Sequence, residues 1–121
     1  MSKLSDSEWQ VLTALWDSGG ASLGALVEAL RPATGWSRNT VLTYLTRMEK
    51  KGLVAIDKEG YPHRYRAALD QDACRAQERR SFLQRVYQGS AGDLVAAFLK
   101  EEPLPPEERA RLRKLLDEME V

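Results

Sequence analysis

Apolar residues recur at helical spacing in two short segments at the start of the chain. The first segment opens with Ser5-Asp-Ser-Glu8, a capping-box pattern that typically begins a helix. Its apolar positions are Trp9, Leu12, Leu15 and Trp16. Gly19 and Gly20 end this helix, and Ser22 is placed to cap a second one. The apolar positions of the second helix are Leu23, Leu26, Val27 and Leu30. We expect it to stop near Arg31-Pro32, because proline disrupts a helix.

A third predicted helix carries two different faces. Ser37 occupies its N-cap position, and Gly52 stands where a C-capping glycine is common. Val41, Leu45 and Met48 recur at helical spacing and predict one buried stripe. The opposite face is poor in acids and has side chains of the types that read base edges and bind phosphates. These outward positions are Arg38, Asn39, Leu42, Thr43, Thr46 and Lys50. An ordinary solvated face of a core helix is the alternative, which this stretch alone leaves open.

The pattern then changes to that of a β-hairpin. Residues 53–56 predict a short strand, 57–62 a turn and 63–67 a returning strand. Arg64 and Arg66 alternate onto one face of the second strand. A hairpin carrying bases directly after a basic-faced helix is the wing of a winged helix, and its turn and arginines can reach phosphates or a minor groove. Residues 1–69 are therefore predicted to be a winged helix-turn-helix DNA-binding domain.

Residues 70–121 predict three further helices. They run from about residue 70 to Gln88, over 91–101, and from Pro106 onward. Each has an apolar stripe too narrow for a separate core, and the simplest way to bury the stripes is against the same segment of a second chain. An extension folded back on the N-terminal domain is the alternative. The predicted dimerisation residues are Phe82, Val86, Leu94, Val95, Phe98, Leu99, Leu112, Leu115 and Leu116. The predicted fold class is mainly α with a small β-hairpin wing.

Charge is balanced overall but unevenly distributed. The 121 residues include 18 basic and 18 acidic side chains. Residues 36–66 hold seven bases and three acids, a local net charge of +4, whereas residues 71–121 hold nine bases and ten acids. A basic patch on a neutral protein is a footprint for a polyanion, so the distribution agrees with DNA binding.

Other classes of chemistry find little support in the sequence. Cys74 is the only cysteine and His63 the only histidine, which excludes an internal disulfide and predicts no metal centre or other cofactor. There is no glycine-rich phosphate loop and no histidine near Ser37 in sequence, so we do not expect an enzyme. The chain has no apolar run of membrane-spanning length and no signal-peptide pattern, which predicts a cytoplasmic protein without a membrane partner.

Several spaced motifs are similar to those of a known protein family. They are Leu4–Leu12, Leu15-Trp16-Asp17, Trp36-Ser37, Thr40-Val41, Leu45–Met48, Lys50–Leu53, Tyr65, Ser81-Phe-Leu, Tyr87-Gln-Gly89 and Leu94–Phe98. Together they resemble the penicillinase-repressor (BlaI/MecI/CopY-type) family of bacterial transcriptional regulators over nearly the whole length. The resemblance implies a homodimeric winged-helix repressor that binds a palindromic operator. Many members control antibiotic-resistance genes and are inactivated by proteolysis that a membrane-bound sensor triggers.

The resemblance also implies roles for single residues. Base contacts in the resistance repressors come from the start of the recognition helix, which places Asn39, Thr40 and Leu42 there. Those repressors tend to have basic residues where this chain has Asn39 and Leu42, but asparagine can pair with adenine and leucine can pack on a thymine methyl group. We predict base reading or positioning of the helix start by Ser37, Arg38, Asn39, Thr40, Leu42 and Thr43. We predict phosphate contacts by Thr46, Arg47, Lys50, Lys58, Arg64 and Arg66.

Two alternatives concern regulation and function. The resistance repressors are cut at an Asn–Phe bond in the second C-terminal helix, and the matching bond here is Ala97–Phe98. Phe98 fits that pattern and Ala97 does not. The bond is therefore a candidate cleavage site for a sensor-linked protease, and the alternative is that Phe98 belongs to the dimer core. A winged helix can also serve as a protein-interaction module without specific DNA binding. Such a module requires apolar anchor residues on its exposed face, and Leu42 is the only one predicted there.

Overall fold

The structure is a computed structural model that describes residues 3–119. Within those residues the chain forms six helices and one three-stranded sheet. In chain order the elements are α1 (Asp6–Ser18), β1 (Ala21–Ser22), α2 (Leu23–Thr34), α3 (Arg38–Lys50), β2 (Val54–Asp57), β3 (Arg64–Ala67), α4 (Gln71–Tyr87), α5 (Ala91–Glu101) and α6 (Pro106–Glu118). The predicted fold class, mainly α with a β-hairpin wing, is confirmed.

The capping box predicted at the start of α1 is present. Ser5 Oγ accepts a hydrogen bond from the Glu8 amide at 3.1 Å, and Glu8 Oε1 accepts one from the Ser5 amide at 2.9 Å. The helix ends at Gly19, whose φ of 70° lies in the left-handed region that favours glycine. Both ends of α1 are therefore fixed by local sequence.

The predicted end of α2 near Arg31-Pro32 is wrong, because the helix continues through Pro32 to Thr34. Pro32 removes one backbone donor within the last turn. Two other hydrogen bonds close that turn, from Thr34 Oγ1 to the Leu30 carbonyl at 2.7 Å and from the Gly35 amide to the Arg31 carbonyl at 2.9 Å. Glycine at position 35 then ends the helix with a φ of 65°.

The sheet has the strand order β1-β3-β2, with all pairs antiparallel. The β2–β3 hairpin is the predicted wing, and its register pairs Val54 with Ala67 and Asp57 with Arg64. The two-residue strand β1 has no counterpart among the sequence predictions. It pairs Ala21 with Tyr65, so the segment before α2 is joined to the wing.

The chain divides into two compact units between Glu78 and Arg79, inside α4. The first unit has a continuous core that includes the buried stripe predicted for α3, with Val41, Leu45 and Met48 at most 1% exposed. The other core side chains are Val11, Leu12, Leu15, Ala21, Leu26, Val27, Leu30, Leu53, Val54 and Tyr65. The functional boundary predicted between residues 69 and 70, and the assignment of dimerisation to the C-terminal region, stay predictions.

The second unit contrasts with the first in burial. None of its described side chains, residues 79–119, is buried. Its exposed large apolar side chains are Val86, Val95, Phe98, Leu99, Leu115, Leu116 and Met119. Phe82, Leu94 and Leu112 are half-buried. The side chains of the predicted apolar stripes are thus exposed or only half-buried in the single chain.

Candidate nucleic-acid interface

The start of α3 is held by two hydroxyl groups and an aromatic pair. Ser37 Oγ accepts a hydrogen bond from the Thr40 amide at 3.2 Å and lies 3.0 Å from Thr40 Oγ1. The rings of Trp36 and Tyr44 stack with centroids 4.7 Å apart, which fixes the turn entering the helix. Ser37 is therefore an N-cap as predicted, and Thr40 is half-buried beside it.

The outward face of α3 presents a mixed polar and apolar surface. Asn39, Thr43, Thr46, Arg47 and Lys50 are exposed. Leu42 is 39% exposed among them. A shallow pocket of about 270 Å³ is lined by Asn39, Thr40, Thr43, Tyr44 and Arg47, so four of the predicted contact residues lie together beside Tyr44. A base pair placed against this face would meet the Asn39 amide, the Arg47 guanidinium and the threonine methyl groups.

The two outward threonines use their hydroxyl hydrogens within the helix. Thr43 Oγ1 donates to the Asn39 carbonyl and Thr46 Oγ1 to the Leu42 carbonyl, each at 2.9 Å. In this arrangement both side chains offer an acceptor oxygen and a methyl group to a ligand. A phosphate contact by Thr46 therefore requires its hydroxyl to leave the Leu42 carbonyl.

The two arginines of the wing lie on one face of β3, as the alternation of side chains along the strand predicts. Arg64 and Arg66 are exposed, whereas Tyr65 between them is 6% exposed and belongs to the core. The Asp57 carboxylate accepts a hydrogen bond from the Glu59 amide at 3.0 Å, and this shapes the turn in which Lys58 is exposed.

The structure adds two features of the wing that the sequence reasoning missed. Tyr61, in the wing turn, is 97% exposed, and its place among turn residues was the signal that could have identified it. Arg64 Nη2 donates to the carbonyl of Gly20 at 2.9 Å, a contact between residues far apart in sequence that no local pattern announces. Part of the Arg64 guanidinium is therefore already bonded within the protein.

The starts of α2 and α3 and the wing share one surface. A pocket of about 320 Å³ between them is lined in part by Ser22, Arg38, Tyr61 and His63. Arg38 in this set belongs to α3, whereas Tyr61 and His63 belong to the wing. The structure thus joins the predicted recognition helix and the predicted wing into one continuous candidate interface.

Most bases of this interface are not neutralised by the protein itself. Within residues 3–119, Arg38, Arg47, Lys50, Lys58 and Arg66 form no ion pair within 4.0 Å. Their charges are therefore available to a polyanion.

Lys51, at the end of α3, differs because it forms an ion pair within the first unit. Its Nζ lies 2.8 Å from Glu8 Oε2. Burial raises the pKa of the Glu8 carboxyl, but the hydrogen bonds from Lys51 and the Ser5 amide outweigh it and leave that pKa below its ordinary value. This ion pair ties α3 to α1 and is not a candidate DNA contact.

Across residues 3–119 no group of three histidine, cysteine, aspartate or glutamate side chains is placed to hold a metal ion. No helix in that range is both long and apolar enough to cross a bilayer.

Comparison with known proteins gives one family and several similar repressors. The Penicillinase repressor family model matches residues 4–118. The methicillin resistance regulatory protein MecI of Mammaliicoccus sciuri is 28% identical over 95% of this chain and 94% of its own length. The penicillinase repressor of Bacillus licheniformis is 30% identical over 96% of this chain and 91% of its own.

A solved structure of a related repressor matches the DNA-binding part. It is the monomeric form of Bacillus licheniformis BlaI in complex with the blaP half-operator. The match has a TM-score of 0.53 and 28% identity, and covers 59% of this chain and 87% of that one. The winged-helix architecture of the first unit is therefore shared with a DNA-bound protein.

Proposed function

The chain belongs to the penicillinase repressor family, and on that premise we propose that it is a homodimeric transcriptional repressor that binds a palindromic operator. Of the similar proteins, one is named a methicillin resistance regulatory protein and another a penicillinase repressor, and BlaI is solved with a half-operator. The observation that carries the proposal here is the exposed face of α3, whose unpaired bases adjoin the wing.

In this proposal α3 reads bases and its flanks bind phosphates. Asn39 would pair with adenine, and Leu42 would contact a thymine methyl group, with Arg38, Thr40 and Thr43 beside them. Exposed bases on α3 and the wing would hold the DNA backbone, with Thr46 joining them once its hydroxyl is free. These proposed phosphate contacts are Thr46, Arg47, Lys50, Lys58 and Arg66. Arg64 is set apart from them by its hydrogen bond to Gly20.

Dimerisation would use the apolar face of the second unit. Large side chains such as Phe98, 58% exposed, and Leu116, 59% exposed, stay open on the single chain. Exposed large apolar side chains that come together in one patch mark an interaction site, and we infer such a patch from these residues. A two-fold dimer built on it would present two α3 helices to half-sites about 34 Å apart along the DNA.

Phe98 fits the dimer better than it fits protease cleavage. The Ala97–Phe98 bond lies in the interior of α5, which spans Ala91–Glu101. A protease that binds an extended segment requires this helix to unwind first. The exposed Phe98 ring, by contrast, needs no rearrangement to enter an interface. We therefore propose that cleavage relieves repression only in molecules whose α5 helix has locally unwound.

The test is selection of bound sequences from random duplex DNA at two salt concentrations. We expect enrichment of an inverted repeat and an affinity that falls steeply with salt, by about 0.9 in log–log slope for each phosphate neutralised. Absence of binding at low salt would contradict the proposal and favour a protein-interaction module, whose partner binding would be insensitive to salt.

A matched pair of variants separates base reading from phosphate binding. Asn39→Ala should relax the preference at one base pair, with about 1–3 kcal/mol of discrimination lost there. Lys50→Ala, on the same exposed face of α3, should weaken binding to all sequences alike and lower the salt slope by about 0.9. If both variants lost affinity uniformly, the assignment of Asn39 to base reading would be wrong.

A further inference from the structure

The turn between α1 and β1 is built around one glycine that touches the wing. Gly20 is buried and has a φ of +120°, a conformation that L side chains rarely adopt. A Cβ atom at this position would lie 3.4 Å from the carbonyl oxygen of Tyr65 in β3. The wing strand therefore packs directly on the backbone of this turn.

Side chains from two different elements hold both backbone polar groups of Gly20. Ser18 Oγ accepts a hydrogen bond from the Gly20 amide at 3.2 Å and donates one to the Leu15 carbonyl at 3.2 Å. Arg64 Nη2 donates to the Gly20 carbonyl at 2.9 Å. Ser18, Gly20 and Arg64, here called the Gly20 latch, thus connect the end of α1 to the wing.

We propose that Arg64 is a positioning residue, which fixes the wing on the α1–β1 turn before DNA arrives. This inference rests on the proposed DNA-binding function, and it replaces the predicted phosphate contact of Arg64. A wing that is already ordered loses less conformational freedom on binding, so the latch raises affinity without itself touching DNA. The charge-assisted bond from a guanidinium suits this role, because it is stronger than a neutral one.

Arg66 provides the matched comparison within the same strand. It lies two residues farther along β3 and is exposed on the same side of the sheet. Within residues 3–119 its guanidinium donates no hydrogen bond and forms no ion pair. Arg66 therefore remains a phosphate contact in the proposal, whereas Arg64 acts through the fold of the wing.

The experiment compares Arg64→Ala, Ser18→Ala and Arg66→Ala in the full chain. Operator affinity is measured over a range of salt, and amide hydrogen exchange in β1 and β3 is measured without DNA. Arg64→Ala should weaken binding by about two- to tenfold with an unchanged salt slope, and should speed exchange at least about twofold. Ser18→Ala, which changes no charge, should act in the same direction. Arg66→Ala should lower the slope by about 0.9 and leave exchange unchanged.

The opposite pattern would overturn the inference. A salt slope lowered by about 0.9 in Arg64→Ala, with exchange as in the wild type, would make Arg64 a phosphate contact. Unchanged exchange in Ser18→Ala would show that the latch does not order the wing, and this variant carries the test alone if Arg64→Ala fails to fold. Failure of the wild type to bind DNA would refute the proposed function instead, and the exchange measurements distinguish the two failures.

Discussion

The two units of this chain differ in where their apolar side chains lie. In the first unit, Val11, Leu12, Val41 and Leu45 are completely buried. In the second unit, residues 79–119 contribute no buried side chain, although α5 and α6 have clear apolar faces. The first unit therefore has a closed apolar core, whereas the second leaves its large apolar side chains on the surface, where the proposed dimer would cover them.

This difference shows that helical periodicity predicts an apolar face but not what covers it. In α3 the stripe that contains Leu45 is covered by α1, α2 and β2 of the same chain. In α5 an equally regular stripe that contains Phe98 remains exposed. Since no side chain of residues 79–119 is buried within one chain, a partner copy is the covering that we propose for this stripe.

The largest expected effect comes from the same truncation made in each unit. Leu45→Ala should lower the free energy of unfolding by about 2–5 kcal/mol, because it leaves a cavity in a closed core. Leu116→Ala removes a side chain that is 59% exposed, and should change the unfolding of the first unit by less than about 0.5 kcal/mol. Urea denaturation followed by tryptophan fluorescence measures both. Equal losses would mean that the second unit is part of the same core.

The next largest effect should be on the dissociation constant of the proposed dimer. Phe98→Asp should weaken dimerisation at least about 100-fold, because two copies of the ring lose apolar contacts and two carboxylates must be desolvated. Lys100→Gln makes the same charge change of −1 on the opposite side of α5 and should weaken dimerisation far less. Sedimentation equilibrium gives the dissociation constants. A monomeric wild type, or equal effects of the two variants, would contradict the proposed interface.

Local rules predicted most of the first unit. Caps at Ser5, Ser22 and Ser37 involve residues three apart, and the wing alternation at Tyr65 depends on neighbouring side chains, so a short window of sequence contains the whole cause. The end of α2 was predicted wrongly because the cost of Pro32 is offset by hydrogen bonds closing the final turn, including one from Thr34.

The parts of the candidate interface that depend on contacts between residues distant in sequence are harder to predict. The exposed face of α3 follows from periodicity alone, because Val41, Leu45 and Met48 fix which side is buried. The bond from Arg64 to Gly20, and the strand β1, join segments separated by more than forty residues. No local pattern specifies such a pair, so the charge and strand position of Arg64 predict a phosphate contact but not its bond to Gly20.

A smaller effect should follow from the ion pair between α1 and α3. Glu8→Gln keeps the hydrogen-bonding shape of the capping box and removes the charge that pairs with Lys51. Because the pKa of Glu8 is lowered in the folded chain, its ionised form stabilises the fold above the unfolded pKa of about 4.3, and this contribution is lost as pH falls through the folded value.

We therefore expect Glu8→Gln to be about 1 kcal/mol less stable at pH 7, with the difference vanishing in strong acid. Urea denaturation at a series of pH values measures this convergence. Glu28→Gln is the control, because Glu28 pairs with Arg31 at an exposed site and should change stability by less than about 0.5 kcal/mol. A pH-independent difference for Glu8→Gln would show that charge is not the cause.

The last prediction uses thiol reactivity to test where the two units divide within α4. Cys74 is 6% exposed, and burial, with a smaller contribution from the Asp70 carboxylate, raises the pKa of its thiol. Ser81 lies beyond the division and is exposed. At pH 8 Cys74 should react with a disulfide reagent at least about tenfold more slowly than an added thiol in Ser81→Cys, because both access and the thiolate fraction are lower. Comparable rates would mean that the first turns of α4 are not packed on the first unit, so that the division belongs before α4.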